Sequence, residues 1–286
     1  MTEAMLGFIG GSGLYDIEGL TDRQEVELST PFDDPSDTIV TGSLDGVRVA
    51  FLPRHGRGHR ISPTEIPVRA NIYALKSLGV ERILSVSAVG SLKEELRPLD
   101  LVIPDQIIDR TKSRVSTFFG DGLVAHVGFA DPFCANLRRD ALDAAHGLTT
   151  IHDGGTYVVI EGPQFSTRAE SALYRSWGAD IIGMTALPEA KLAREAEICY
   201  ATLAFVTDYD VWREAEEDVS VEMVVANLMK NVDTARSIIR NITTRVSPEY
   251  KCGCGTALET AIITSRDLIP RETRERLGLL VDKYLD

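Results

Sequence analysis

Two carboxylates, Asp208 and Asp210, follow the apolar run Tyr200-Ala201-Thr202-Leu203-Ala204-Phe205-Val206, within the tetrapeptide Thr207-Asp208-Tyr209-Asp210. The run is rich in β-branched and aromatic residues and reads as a buried strand. Acids at its carboxyl end would sit where open α/β sheets bind ligands. Asp is also a common turn residue, so the tetrapeptide alone fits a solvated strand-to-helix loop equally well. A second cluster is basic: Arg54-His55-Gly56-Arg57-Gly58-His59-Arg60 places three arginines and two of the five histidines in seven residues. Arginine's planar fork suits phosphate, and the two glycines let backbone approach the same anion; a solvated basic loop is the alternative. A third is Gly10-Gly11-Ser12-Gly13, whose N–H groups and Ser12 hydroxyl could turn onto an anion, although a plain tight turn fits it as well. It lacks the Lys-Ser/Thr ending of a Walker A loop, and Asp16 stands where a dinucleotide fingerprint needs glycine.

Each cluster needs a strand behind it. Leu6-Gly7-Phe8-Ile9 and residues 47–53 read as strands leading to the glycine-rich and basic loops. A helix with Ile66, Ala70, Tyr73, Ala74 and Leu78 at helical spacing stops at Gly79. Residues 82–87 are predicted as a strand ending in the small-residue tip 88–91, and residues 101–109 as one that Pro104 confines to an edge or bend. Residues 110–130 are irregular, and 132–146 helical. The strand 157–160 delivers Phe165 and Ser166 into a loop, because Thr167 and Glu170 form a capping box that starts a helix over 168–177. A short strand 180–184 is followed by Thr185 and a helix initiated by Pro188, and a long helix carries Val221 through Ile239 on one face. Strands and helices alternate to about residue 245. The pattern predicts a single α/β domain over 1–245 with a mixed central sheet flanked by helices. A helical extension, 246–286, packs on the domain or on a neighbouring subunit.

The 286 residues carry 30 basic against 43 acidic side chains, a net charge of −13, which argues against nucleic acid as partner. No apolar window is long enough to span a membrane, and the first residues run into a strand without a charged leader, so a cytoplasmic protein is expected. Cys134, Cys199, Cys252 and Cys254 are too few and uneven for a disulfide framework. Cys252-Gly253-Cys254 has no second Cys/His pair nearby along the chain, so no metal site is read, and free thiols are expected.

Taken together, Gly10-Gly11-Ser12-Gly13-Leu14, Arg54-His55-Gly56, Asn71 to Leu75, Ser87 to Ser91, Glu161 to Ser166, Gly183-Met184-Thr185, Pro188-Glu189 and Thr207 to Asp210 resemble, in order and spacing, the trimeric purine nucleoside phosphorylase family over residues 6–245. The resemblance implies a partly barrel-like central sheet and phosphorolysis: inorganic phosphate, a co-substrate in a reaction without a cofactor, attacks the sugar C1′ and displaces the purine. Phosphate would be held by Ser12, Arg54, His55, Ser87, Ala88 and Thr185. Met184 would pack under the sugar and Phe165 against the base. Departure of the purine is helped by protonation at N7, and a desolvated Asp208 is the implied acid, with Asp210 as an acceptor or tuning partner. The family's 6-oxopurine enzymes are similar in having Asn at the position of Asp208 and Glu at that of Ser166. Asp208, Asp210 and Ser166 suit an amino donor, hence adenine. Val219 and Val221 replace a polar 5′-hydroxyl contact with an apolar wall, which favours a 5′-methylthio group. His126 would reach the 5′ group from a neighbouring subunit of a homotrimer or dimer of trimers. Adenosine, inosine, guanosine or methylthioinosine are the alternative substrates. A hydrolase would release base without phosphate, and a sensing or storage protein would bind without turnover.

Overall fold

The computed structural model describes residues 5–11, 14, 17–213, 221–246 and 252–285. The strands are β1 (Met5–Gly10), β2 (Leu20–Val26), β3 (Ile39–Leu44), β4 (Val47–Pro53), β5 (Val80–Ser91), β6 (Leu101–Ile103), β7 (Gln106–Arg110), β8 (Ile151–Asp153), β9 (Thr156–Ile160), β10 (Ile181–Gly183) and β11 (Cys199–Asp208). The helices are α1 (Val68–Ser77), α2 (Ala135–Ala145), α3 (Arg168–Ser176), α4 (Ala186–Glu195), α5 (Val221–Thr243) and α6 (Arg271–Leu285). The strands form one mixed sheet in the order β2-β3-β4-β1-β5-β10-β9-β7, with β11, β6 and β8 branching from β5.

β11 is buried at every position because it is covered on both faces. Its residues alternate between two cores: Tyr200, Ala204 and Val206 join the one containing α1 and α4, whereas Ala201, Leu203 and Phe205 join the one containing α2 and α5. That two-residue period is the strand's own pleat. A strand buried on both faces therefore reads as a continuous apolar run.

The predicted strand 101–109 is two. β6 pairs with β11 and β8, β7 pairs with β9, and Pro104 lies at the break, where a residue without an N–H cannot continue a ladder. The tip predicted at 88–91 remains strand, since β11 pairs with β5 as far as Gly90 and β10 takes Gly90 and Ser91. β2 and β3 have no counterpart in the sequence reading. β2 is exposed or half-exposed throughout, so no apolar alternation marks it. The capping box is present: Glu170 N–H donates to Thr167 Oγ1 (3.2 Å) and Thr167 N–H to Glu170 Oε2 (2.8 Å).

The C-terminal segment packs on its own chain. Leu258, Ala261, Leu277, Leu280, Val281 and Leu285 join the α1/α4 core. Glu197, in the turn before β11, fastens it by accepting from Leu258 N–H (2.9 Å) and Tyr284 Oη (2.6 Å) and pairing with Lys283. Among the described residues no helix is long and apolar enough to cross a membrane.

Candidate active site

The site is built where the sheet divides. One edge of β5 is occupied by β11 from Arg82 to Gly90. The other is occupied by β1 only as far as Ser85, and β10 joins at Gly90. Residues 86–89 face the resulting gap, the kind of strand divergence at which α/β sheets hold ligands. Ser87 and the half-exposed Ala88 lie in it, and Ser87 Oγ is 2.9 Å from Thr185 Oγ1 at the start of α4.

At the far end of the gap stand Asp208 and Asp210, both buried. Asp208 Oδ1 accepts from Asp210 N–H (2.8 Å). Its Oδ2 lies 2.7 Å from Thr207 Oγ1, which is also 3.2 Å from the Val89 carbonyl. Thr207 has one hydroxyl proton for two acceptors. Both contacts are satisfied together only when Asp208 is protonated and donates to Thr207, which then donates to Val89. Electrostatics agree: burial raises the Asp208 pKa, against the Thr207 hydroxyl and Asp210 N–H, and the Asp210 charge raises it further. Burial likewise raises Asp210, against the Ser171 hydroxyl. Gly90 makes the approach of β11 possible, because a Cβ there would lie 2.9 Å from Asp208 Oδ1 and 3.1 Å from Ile182. Asp210 Oδ2 and Ser166 Oγ are buried without hydrogen-bond partners. A buried polar atom without a partner is costly to hold unless a ligand meets it. Phe165, next to Ser166, leaves 43% of its surface exposed.

Arg54 is held differently. Its guanidinium is buried and donates from Nε to Glu189 Oε1 (2.6 Å), from Nη1 to the Val86 carbonyl (2.9 Å) and from Nη2 to Ser85 Oγ (2.5 Å). Tyr200 Oη donates to the same Glu189 (2.8 Å). Burial alone would lower the Arg54 pKa, but Glu189 outweighs it and holds the group above its ordinary value. The bond to Val86 ties Arg54 to the residue before Ser87. His55 Nδ1 donates to the Ile61 carbonyl (2.8 Å), so the neutral ring keeps Nε2 as an acceptor. Burial and then the Arg54 charge lower His55 to about 4, and its ring stacks on His59.

Two loops are pinned by residues that the sequence reading passed over. Arg114, from the irregular stretch, donates from Nη1 to the carbonyls of Met184 (2.5 Å) and Leu187 (2.7 Å) and from Nη2 to that of Glu161 (2.5 Å). Glu161 Oε2 in turn accepts from Lys112 N–H (2.5 Å), and its Oε1 from Thr64 Oγ1 (2.8 Å). Gly162 has a φ of +67°, which favours glycine, and a Cβ there would overlap the Met184 sulfur. The signal for Arg114 was only a lone arginine in a loop, since its partners lie 47 to 73 residues away. The structure thus gathers Arg54, Ser87, Ala88, Met184, Thr185, Asp208 and Asp210 about one divided sheet. His126 is exposed elsewhere, its N–H bonded to the Ala261 carbonyl (2.9 Å) beside the C-terminal segment. Ser12 and Val219 lie outside the described residues, as does the side chain of Val221.

Comparison with known proteins gives a consistent picture. The family model described as "Phosphorylase superfamily" matches residues 5–244. The S-methyl-5′-thioadenosine phosphorylase of Geobacter sulfurreducens is 58% identical over 99% of this chain and 100% of its own length. A methylthioadenosine phosphorylase sourced from an antarctic soil metagenomic library superposes with a TM-score of 0.93 at 54% identity, covering 98% of this chain and 100% of that one. The methylthioadenosine phosphorylase of Schistosoma mansoni in complex with adenine gives 0.80 at 35% identity, covering 98% of each chain. A divided sheet with paired acids at one end and hydroxyls at the other, a full-length relative and a matching family model lead to one conclusion: the chain belongs to the phosphorylase superfamily.

Proposed function

We propose that the protein catalyses phosphorolysis of S-methyl-5′-thioadenosine, giving adenine and 5-methylthioribose 1-phosphate. The observation that carries the reading is Asp208, a buried carboxyl at the end of β11 whose hydrogen bonds close when it is protonated. Phosphate oxygen forms a bond to C1′ as the C1′–N9 bond breaks. The leaving purine takes the Asp208 proton at N7, and the remaining hydroxyl proton of hydrogen phosphate restores the acid through solvent. Thr207 serves both states: its hydroxyl donates to Val89 while Asp208 is an acid and to Asp208 once it is a carboxylate. The oxocarbenium-like sugar is stabilised by phosphate charge placed beside it, with no protein nucleophile and no cofactor.

Phosphate binds at Ser87, the Ala88 backbone and Thr185, with Arg54 fixing the strand beneath them. His55, neutral near pH 7, offers its Nε2 to the phosphate hydroxyl. Asp210 Oδ2 and Ser166 Oγ accept from or bridge to the adenine amino group, and Phe165 and Met184 pack on base and sugar. Val219 and Val221 form the apolar wall for the methylthio group. His126 approaches that group from a neighbouring chain of a homotrimer or a dimer of trimers, in a cytoplasmic protein.

The test is a substrate panel with and without phosphate. Fast, phosphate-dependent release of adenine from methylthioadenosine is expected; inosine cleavage without methylthioadenosine cleavage, or base release in the absence of phosphate, would sink the reading.

A further inference from the structure

Far from the cleft, the fold assembles a cluster that the chain order conceals. Cys134 precedes α2, Cys199 opens β11, and Cys252 and Cys254 begin the C-terminal segment. Their four sulfurs all lie within 4.8 Å of one another, and none is in a disulfide. The Cys134 N–H donates to the Tyr200 carbonyl (2.8 Å), so α2 and β11 bring their thiols together through backbone. Cys199 and Cys252 sulfurs are 3.2 Å apart. Three of the four cysteines are no more than 6% exposed, and Cys252 is half-buried.

We propose that Cys134, Cys199, Cys252 and Cys254 form a tetrathiolate site for a structural zinc ion that fastens the C-terminal segment to the phosphorylase core. Zinc with four thiolates is tetrahedral with Zn–S of about 2.3 Å, which sets the sulfurs about 3.8 Å apart. The observed sulfurs reach that spacing by moves on the order of 1 Å. Tetrahedral, all-sulfur donor sets select soft thiophilic ions over magnesium or calcium. Binding releases the four thiol protons to solvent and leaves a complex of net charge −2 at a cleft that Arg138 and Arg194 also line. A cleft of about 540 Å³, lined by Cys134, Cys252, Cys254 and both arginines, gives the ion a way in. The single residue between Cys252 and Cys254 is tighter than the usual ligand spacing, and the pair from α2 and β11 completes the set that the sequence reading found missing. Cys199 and Asp208 are at opposite ends of β11, about 30 Å apart along an extended strand, so the ion acts on folding and not on the reacting atoms.

The test is metal analysis of the full-length protein, expressed with zinc and desalted under reducing conditions without chelator. About one zinc per chain is expected, and cobalt grown into the same protein should show thiolate charge-transfer bands and tetrahedral visible bands. Cys134→Ser and Cys254→Ser should each lower zinc affinity at least about tenfold and lower Tm. Zinc below about a tenth of the chain concentration with all four thiols open to alkylation, iron in its place, or disulfide-linked peptides among the four would overturn the proposal. If the variants do not fold, the zinc content and cobalt spectrum of the unaltered protein decide alone.

Discussion

The two ends of the divided sheet handle buried polarity in opposite ways. At the end that carries Ser87 and Thr185, Arg54, Glu189, Ser85 and Tyr200 are buried and bonded to one another. At the end that carries Asp208, Asp210 Oδ2 is buried without a hydrogen-bond partner, as is Ser166 Oγ in the loop before α3. The first end is a finished electrostatic frame, fixed before any ligand arrives. The second holds polar atoms unpaired, and under the proposed function the adenine base would supply hydrogen bonds that offset their desolvation. If the base binds at the Asp208 end as proposed, specificity should reside there, because a wrong base leaves those atoms unpaired, whereas the Ser87 end should govern folding and positioning.

Breaking the frame should have the largest effect. Glu189→Gln leaves the Arg54 charge buried without its counter-ion and should cost about 3–5 kcal/mol of stability, seen as a large drop in Tm. A variant that melts like the unaltered protein would show that the frame carries little. At the other end, Asp208→Asn should reduce kcat by at least about 10²-fold, with residual activity shifted toward 6-oxopurine nucleosides. Here stability should move the opposite way. The folded pKa of Asp208 is raised, so the carboxyl costs stability as pH rises from its unfolded value through the folded one, and the amide escapes that cost. A Tm at pH 7 higher than that of the unaltered protein, with turnover lost, is the expected pair of results.

A smaller effect sharpens the contrast. Ser166→Ala removes a hydroxyl that has no internal partner, so Tm should change little while kcat/KM for methylthioadenosine falls about tenfold, the worth of one hydrogen bond to the base. Equal losses in stability and activity would mean that Ser166 belongs to the frame instead. At neutral pH the smallest effect on stability concerns His55, whose folded pKa is about 4 against 6.5 in the unfolded chain, so that its contribution emerges only on the acid side. The unfolded state binds the extra proton, so stability should be full above about pH 6.5 and decline as pH falls toward 4; His55→Gln should flatten that limb in denaturant titrations at stepped pH.

Much of this was legible in the residues. The Thr167–Glu170 capping box is a local device and formed where its spacing said it would. β11 announced itself as an apolar run because both of its faces are covered. The hairpin strand β2 did not, since its side chains stay in or near water and carry no alternation. Pro104 warned of an edge or bend, but the chain alone did not say that β6 and β7 would join different partners.

The candidate acid follows the same division. Asp208 was visible as a carboxylate at a strand end, yet what marks it as protonated is that Thr207 also meets the Val89 carbonyl, a contact 118 residues apart in the chain. Arg54 was visible as a cation suited to phosphate, but its partner Glu189 is 135 residues away, so the chain alone did not show the buried pair that holds it. Arg114 and the four cysteines carried almost no local signal. By itself the sequence determined element types, caps and the chemical character of each strand tip, because these depend on backbone propensity and on neighbours within a turn or a pleat. Only the tertiary structure decided which charges are neutralised, which polar atoms stay unpaired and which thiols meet, because desolvation and hydrogen bonding are set by groups that folding brings together.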